Sequence, residues 1–225
     1  MVDTSPMYGA AETVVGDLAA ELGVRPKLFL ATKVWTTGRE AGIQQMEASM
    51  KRLRAERLDL IQVHNLVDLG TQLRTLREWK AKGRVRYIGI THYQDSAHEE
   101  LERVMRAEDI DFVQLNYSIV SRKAEARLLP LAAERKIGVL VNRPFERADL
   151  FEKVRSKTLP PWAAEFDCTS WAQFFLKFVL SHPAVTCAIP ASGKAKHMMD
   201  DLQAGRGRMP DGAMRERMAQ LVATL

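Results

Sequence analysis

The chain has 225 residues, of which 46% are hydrophobic and 27% charged, with a formal net charge of +5. This composition excludes a disordered or fibrous protein and suits a globular α/β chain. Basic residues are interleaved with acids, as in Lys51, Arg52, Arg54, Glu56 and Arg57, which is the pattern of a solvated surface and argues against a nucleic-acid partner.

In chain order, a stub strand (1–5) feeds a turn and then a helix over 10–22. LFLATKVW (28–35) reads as a strand, 39–54 as a helix, LDLIQVH (58–64) as a strand and 69–83 as a helix. Next come strand VRYIGIT (85–91), helix 98–108, strand DFVQLNY (111–117), and helix 123–136 with Pro130 marking a kink. IGVLVN (137–142) is a strand, and 145–171 holds a short helix and an irregular turn at Pro160–Pro161. A helix over 170–182, strand TCAIP (186–190), and helices 195–204 and 211–224 complete the series. The helical segments repeat apolar residues at three and four, and Gly23 and Gly83 sit at expected C-caps. The strands are short and nearly continuous in apolar character, as parallel strands buried on both faces are.

Strand–helix alternation of this kind predicts a parallel α/β fold. No G-x-G-x-x-G follows an early strand, which argues against an open doubly wound sheet. Six clear strands and a stub predict a (β/α)8 TIM barrel, N-terminally truncated, with about seven strands present, and a single domain over 1–225. Cys168 and Cys187 have neither metal nor disulfide spacing and read as buried thiols, and no metal site is expected. No apolar run is long enough to span a membrane and no signal peptide is visible, so a cytoplasmic protein without a membrane partner is expected.

Asp3, Lys33 and His64 fall at the C-terminal ends of three successive strands, and Tyr8 in the loop after the first. In a barrel, that face carries the active site. A lysine within an apolar strand needs a partner for its charge, and Asp3 on the neighbouring strand is the expected one. A phenol is a weak acid at neutral pH, and a nearby ammonium favours its phenolate. A histidine beside it can hydrogen-bond a substrate oxygen. The set can deliver a proton to a carbonyl but supplies no hydride, so a carrier cofactor is required.

VDTSPMYGAAE, LATKVW, LIQVHN and IPASGKAKHMMDDL resemble, in order along nearly the whole chain, the motifs of the aldo-keto reductase family. The resemblance implies a (β/α)8 barrel and NAD(P)H-dependent reduction of aldehydes or ketones. It implies Tyr8 as proton donor, tuned by Lys33 and Asp3, with His64 orienting the carbonyl. NADP(H) is the implied cofactor, with NAD(H) possible. It also implies that Thr91, His92, Gln114, Asn142 and Arg143 surround the nicotinamide and pyrophosphate. Ser192, Gly193, Lys194, His197 and Asp201 match the adenosine end, and Trp35 a wall of the substrate pocket. Against the family pattern, His92 and Asn142 stand where an asparagine and a stacking aromatic are usual, and Phe145 is a substitute for the latter. Ala191 and His197 replace two usual cations. Family members carry a strand and a helix ahead of the first motif. An incomplete barrel is therefore expected, with Asp3 and Tyr8 loosely held, weak activity and self-association through the gap.

Two rival readings remain at this point. One is a non-catalytic relative acting through partner binding. The other is a Schiff-base enzyme using Lys33, which leaves Tyr8 without a role.

Overall fold

The computed structural model describes residues 1–225. It contains seven strands and nine α-helices, and the chain divides into two compact units. The first comprises Met1–His92 with Met105–Val113, the second Tyr93–Val104 with Gln114–Leu225.

The first unit is a run of βα repeats: β1 (Val2–Asp3), α1 (Ala11–Glu21), β2 (Leu30–Val34), α2 (Arg39–Arg52), β3 (Leu58–His64), α3 (Leu69–Ala81) and β4 (Val85–Thr91). β1 pairs with β2, β2 with β3 and β3 with β4, all parallel. Leu30, Val34, Leu60, Ile61, Val63 and Ile90 are buried in the strands, as expected of parallel strands covered on both faces. Gly23 and Gly83 follow α1 and α3 in the left-handed region, the helix-ending geometry expected of them. A Cβ at Gly16 would collide with the backbone of Arg52 and Leu53, so α1 meets the end of α2 at glycine distance.

Glu12, in the first turn of α1, is buried. It accepts from Thr32 Oγ1 at 2.6 Å and from Arg52 Nε at 2.7 Å. The glutamate of the first motif thus ties α1 to β2 and α2. Val14 and Leu18, one turn apart on α1, and Leu22 at its C-cap are exposed. The strand expected over 28–35 is confined to Leu30–Val34, and a 3-10 turn at Arg25–Lys27 precedes it. Phe29 lies outside the strand and packs against Tyr87 and Phe112.

α4 (His98–Ala107) and β5 (Phe112–Asn116) contribute residues to both units. The second continues with α5 (Leu128–Arg135), β6 (Gly138–Asn142), α6 (Asp149–Val154), α7 (Trp171–Leu180), β7 (Cys187–Ala188), α8 (Ala195–Gln203) and α9 (Gly212–Ala223). β6 and β7 pair in parallel. The kink expected at Pro130 does not occur. A 3-10 turn at Lys123–Glu125 precedes α5, which starts at Leu128. Pro130 therefore falls in the first turn, where a missing N–H costs nothing. β7 is shorter than expected, since Pro190 cannot donate to a ladder.

Within this unit Ser170 caps α7, accepting from Gln173 N. Buried Lys177 donates to the carbonyls of Arg206 and Arg208 at 2.6 and 2.9 Å, fixing the segment between α8 and α9. Cys168 is buried, and burial pushes its thiol up to about 11, well away from reactivity. Cys187, expected to be buried, is only half-buried in the two-residue strand.

Candidate active site

In the first unit, β1 ends on Asp3, β3 ends on His64, and Lys33 is the penultimate residue of β2. Register places Lys33 opposite Gln62. The Lys33 ammonium, with no side-chain exposure, donates to Asp3 Oδ2 at 2.6 Å and to the carbonyl of Thr4 at 2.8 Å. Gln62 Nε2 donates to the other carboxylate oxygen at 3.1 Å. Both oxygens of Asp3 are thus bonded, and its strand is paired to β2.

Tyr8 sits in a turn closed by its own N–H donating to Ser5 O at 3.0 Å, with Gly9 in the left-handed region after it. The residue is 48% exposed. The Lys33 ammonium lies 4.9 Å from the centre of its ring. His64 meets the ring edge-on at 6.1 Å, and Trp35, 40% exposed, stands 6.3 Å from His64 on another side. The structure thus brings Asp3, Lys33, Tyr8, His64 and Trp35 together. An accessible phenol stands beside a buried ammonium and an imidazole.

Burial, then the positive charges of Lys33 and His92, lower the His64 pKa to about 4. The ring is neutral at pH 7 and acts as a hydrogen-bond donor or acceptor without carrying charge. Between pH 6.5 and about 4 the unfolded chain takes up a proton that folded His64 refuses. Stability is therefore expected to fall as pH drops through that window. Urea midpoints of the native chain should decline more steeply there than those of a His64→Gln variant; parallel curves would contradict the assignment.

Thr91 ends β4 and is buried beside His92. Gln114 is buried in the second unit, as the third of five residues of β5 rather than at its end. Asn142 ends β6, and Arg143 after it takes left-handed backbone geometry and stacks its guanidinium 4.1 Å from the Tyr93 ring centre.

The second unit holds a cavity of about 990 Å³. Arg143, Ser192, Gly193, Lys194, His197 and Asp201 all line it, so the residues expected at the adenosine end share one wall system with the expected pyrophosphate arginine. Lys194 is the N-cap of α8, and its N–H donates to Ser192 Oγ at 3.3 Å. Asp201 is buried, and burial and Asp200 raise its carboxyl pKa, opposed by His197. Asp200 also lines the cavity and is bonded to Ser170 Oγ and Gln173 Nε2, both at 2.6 Å, at the start of α7. Phe145 lines the cavity but is buried against Phe151, 4.8 Å away, as a packing residue. Arg147 and Trp171 also line the cavity; no sequence periodicity separates a cavity wall from a core aromatic. Gln62 was missed, although alternation along β3 puts it on the face of His64.

Solved structures with this fold are numerous. An aldo/keto reductase from Klebsiella pneumoniae, described in complex with NADP and acetate, superposes with a TM-score of 0.78 at 24% identity, covering 98% of this chain and 79% of that one. The likeness shows the fold, a (β/α)8 class with seven strands in this chain. The Aldo/keto reductase family model matches residues 1–217, and the chain belongs to that family of oxidoreductases. Methylglyoxal reductase YeaE of Escherichia coli (strain K12) is 29% identical over 208 residues, 89% of this chain and 72% of that protein. The NADH-specific methylglyoxal reductase of the same organism is 26% identical over 188 residues, 71% of this chain but only 56% of its own length. No helix is long and apolar enough to cross a membrane.

Proposed function

We propose that this protein is an NAD(P)H-dependent reductase of small aldehydes and ketones, with Tyr8 as the proton donor. The observation that carries the reading is the buried Lys33–Asp3 pair at 2.6 Å lying beneath an accessible tyrosine, next to a neutral histidine. Relatives that are methylglyoxal reductases support the substrate class, and an NADP-bound neighbour supports the cofactor.

The cavity of the second unit fits the phosphate-bearing adenosine end of a dinucleotide. Arg143, Arg147 and Lys194 supply positive charge, Trp171 and Phe151 supply rings, and the turn at Ser192–Gly193 leads into the N-terminus of α8. When bound, the dinucleotide supplies the hydride. Tyr8 gives its phenolic proton to the carbonyl oxygen of the substrate. The Lys33 ammonium stabilises the negative charge left on the phenol oxygen. Asp3, itself held by Gln62, keeps that ammonium in place. His64 hydrogen-bonds the carbonyl oxygen, and Trp35 walls the substrate side. The test is loss of NADPH absorbance on adding methylglyoxal or another short aldehyde to the purified protein. No turnover with any short aldehyde or ketone, with either cofactor, would overturn the reading.

Cofactor preference follows from the charges of the cavity. Lys194 is the cation next to the Ser192–Gly193 turn, while buried Asp201 opposes a 2′-phosphate. NADPH is expected to be preferred only moderately over NADH. A charge-assisted contact contributes about 1.5–3 kcal/mol, so Lys194→Ala should cut the NADPH/NADH ratio of kcat/KM by about tenfold or more. An unchanged ratio would assign phosphate recognition to Arg143 or Arg147.

A further inference from the structure

We infer that Ser5 is a positioning residue for His64: its hydroxyl donates to Nδ1 and holds the imidazole as the Nε2–H tautomer. Ser5 follows the end of β1 by two residues and has no exposed surface. Its Oγ lies 3.4 Å from His64 Nδ1, across 59 residues of sequence. The same Oγ accepts the Met7 N–H at 3.2 Å, which uses one of its lone pairs.

The direction of the Ser5–His64 bond follows from what each alternative leaves unmade. If Nδ1 carried the proton it would donate to Oγ, and the Ser5 hydroxyl hydrogen would be buried with no acceptor. If Nδ1 is the acceptor, every polar group of Ser5 is used: Met7 N–H donates in, and O–H donates out to His64. Buried donors without partners are costly, so the second arrangement prevails. The ring must be neutral for Nδ1 to accept at all. Burial first, and then the influence of Lys33 and His92, keep it so.

The consequence concerns the far side of the ring. With Nδ1 occupied, Nε2 carries the hydrogen, and a carbonyl oxygen receiving the Tyr8 proton meets a second donor instead of a lone pair. This consequence rests on the proposed role of His64; the tautomer does not. Ser5 touches no substrate and acts only through His64.

Long-range proton–nitrogen NMR of the imidazoles in the free protein at neutral pH tests the inference. His64 is assigned by its loss in His64→Gln. In the native chain Nδ1 should resonate as an unprotonated acceptor and Nε2 as a protonated nitrogen. Ser5→Ala should move both shifts toward a mixture of tautomers, and Ser5→Thr should restore them. In parallel, kcat/KM for a short aldehyde should fall about tenfold in Ser5→Ala and recover in Ser5→Thr. A native His64 protonated at Nδ1 overturns the inference, as do shifts unchanged by Ser5→Ala. If Ser5→Ala does not fold, the native spectrum decides alone. A native chain with the Nε2–H tautomer but no reductase activity would remove the proposed function and leave this assignment standing.

Discussion

Replacement of Tyr8 by phenylalanine is expected to lower kcat for aldehyde reduction by about 10²–10⁴-fold, the range for loss of a positioned general acid. The ring of Tyr8 is accessible, and the Lys33 ammonium lies 4.9 Å from its centre. Phenylalanine retains the ring and its place over Lys33 and removes only the hydroxyl. Binding of NADPH, followed by quenching of protein fluorescence, should be nearly unchanged, because Tyr8 lies outside the cavity assigned to the adenosine end. A fall in kcat with unchanged cofactor binding locates the loss in proton delivery. A Tyr8→Phe enzyme with native turnover would mean that another group protonates the product.

Lys33→Met is expected to destabilise the fold by about 3–5 kcal/mol, since removing one partner of a buried ion pair leaves the other charge without compensation. The Lys33 and Asp3 side chains are 0% and 6% exposed, and the Thr4 carbonyl also loses its donor. Asp3→Asn alone should destabilise too, by leaving the ammonium without its counter-charge. The double variant should be more stable than the sum of the single changes implies, because it removes both charges together. Urea unfolding of the four proteins measures the coupling; additive losses would show that the pair does not act as a unit. Activity should be lost in all three variants, including the double variant, whose loss of stability is less than additive. That separation distinguishes a catalytic ammonium from a purely structural one.

The elements were legible in the sequence where their signals are local. Strands 58–64 and 85–91 match their expected bounds because apolar runs there end in abrupt polar or glycine punctuation. Errors arose where a neighbour decides the end of an element. Pro190, which has no N–H to donate, shortens β7 from behind. Pro130 read as a kink because sequence spacing alone does not show that the helix restarts two residues before it.

The candidate site divides in the same way. The sequence by itself determined the residue types at the strand ends, the need of Lys33 for a counter-charge, and the chemistry those groups permit. Side-chain period and charge are properties of a few adjacent residues, so they can be read without a fold. Only the tertiary structure decided which groups satisfy one another across tens of residues. It gave Gln62 and Lys33 to the two oxygens of Asp3, Ser5 to His64, and Asp200 to the cap of α7. These are hydrogen bonds between groups distant in sequence, and they follow from strand register and from the exclusion of water, neither of which any local stretch of chain encodes.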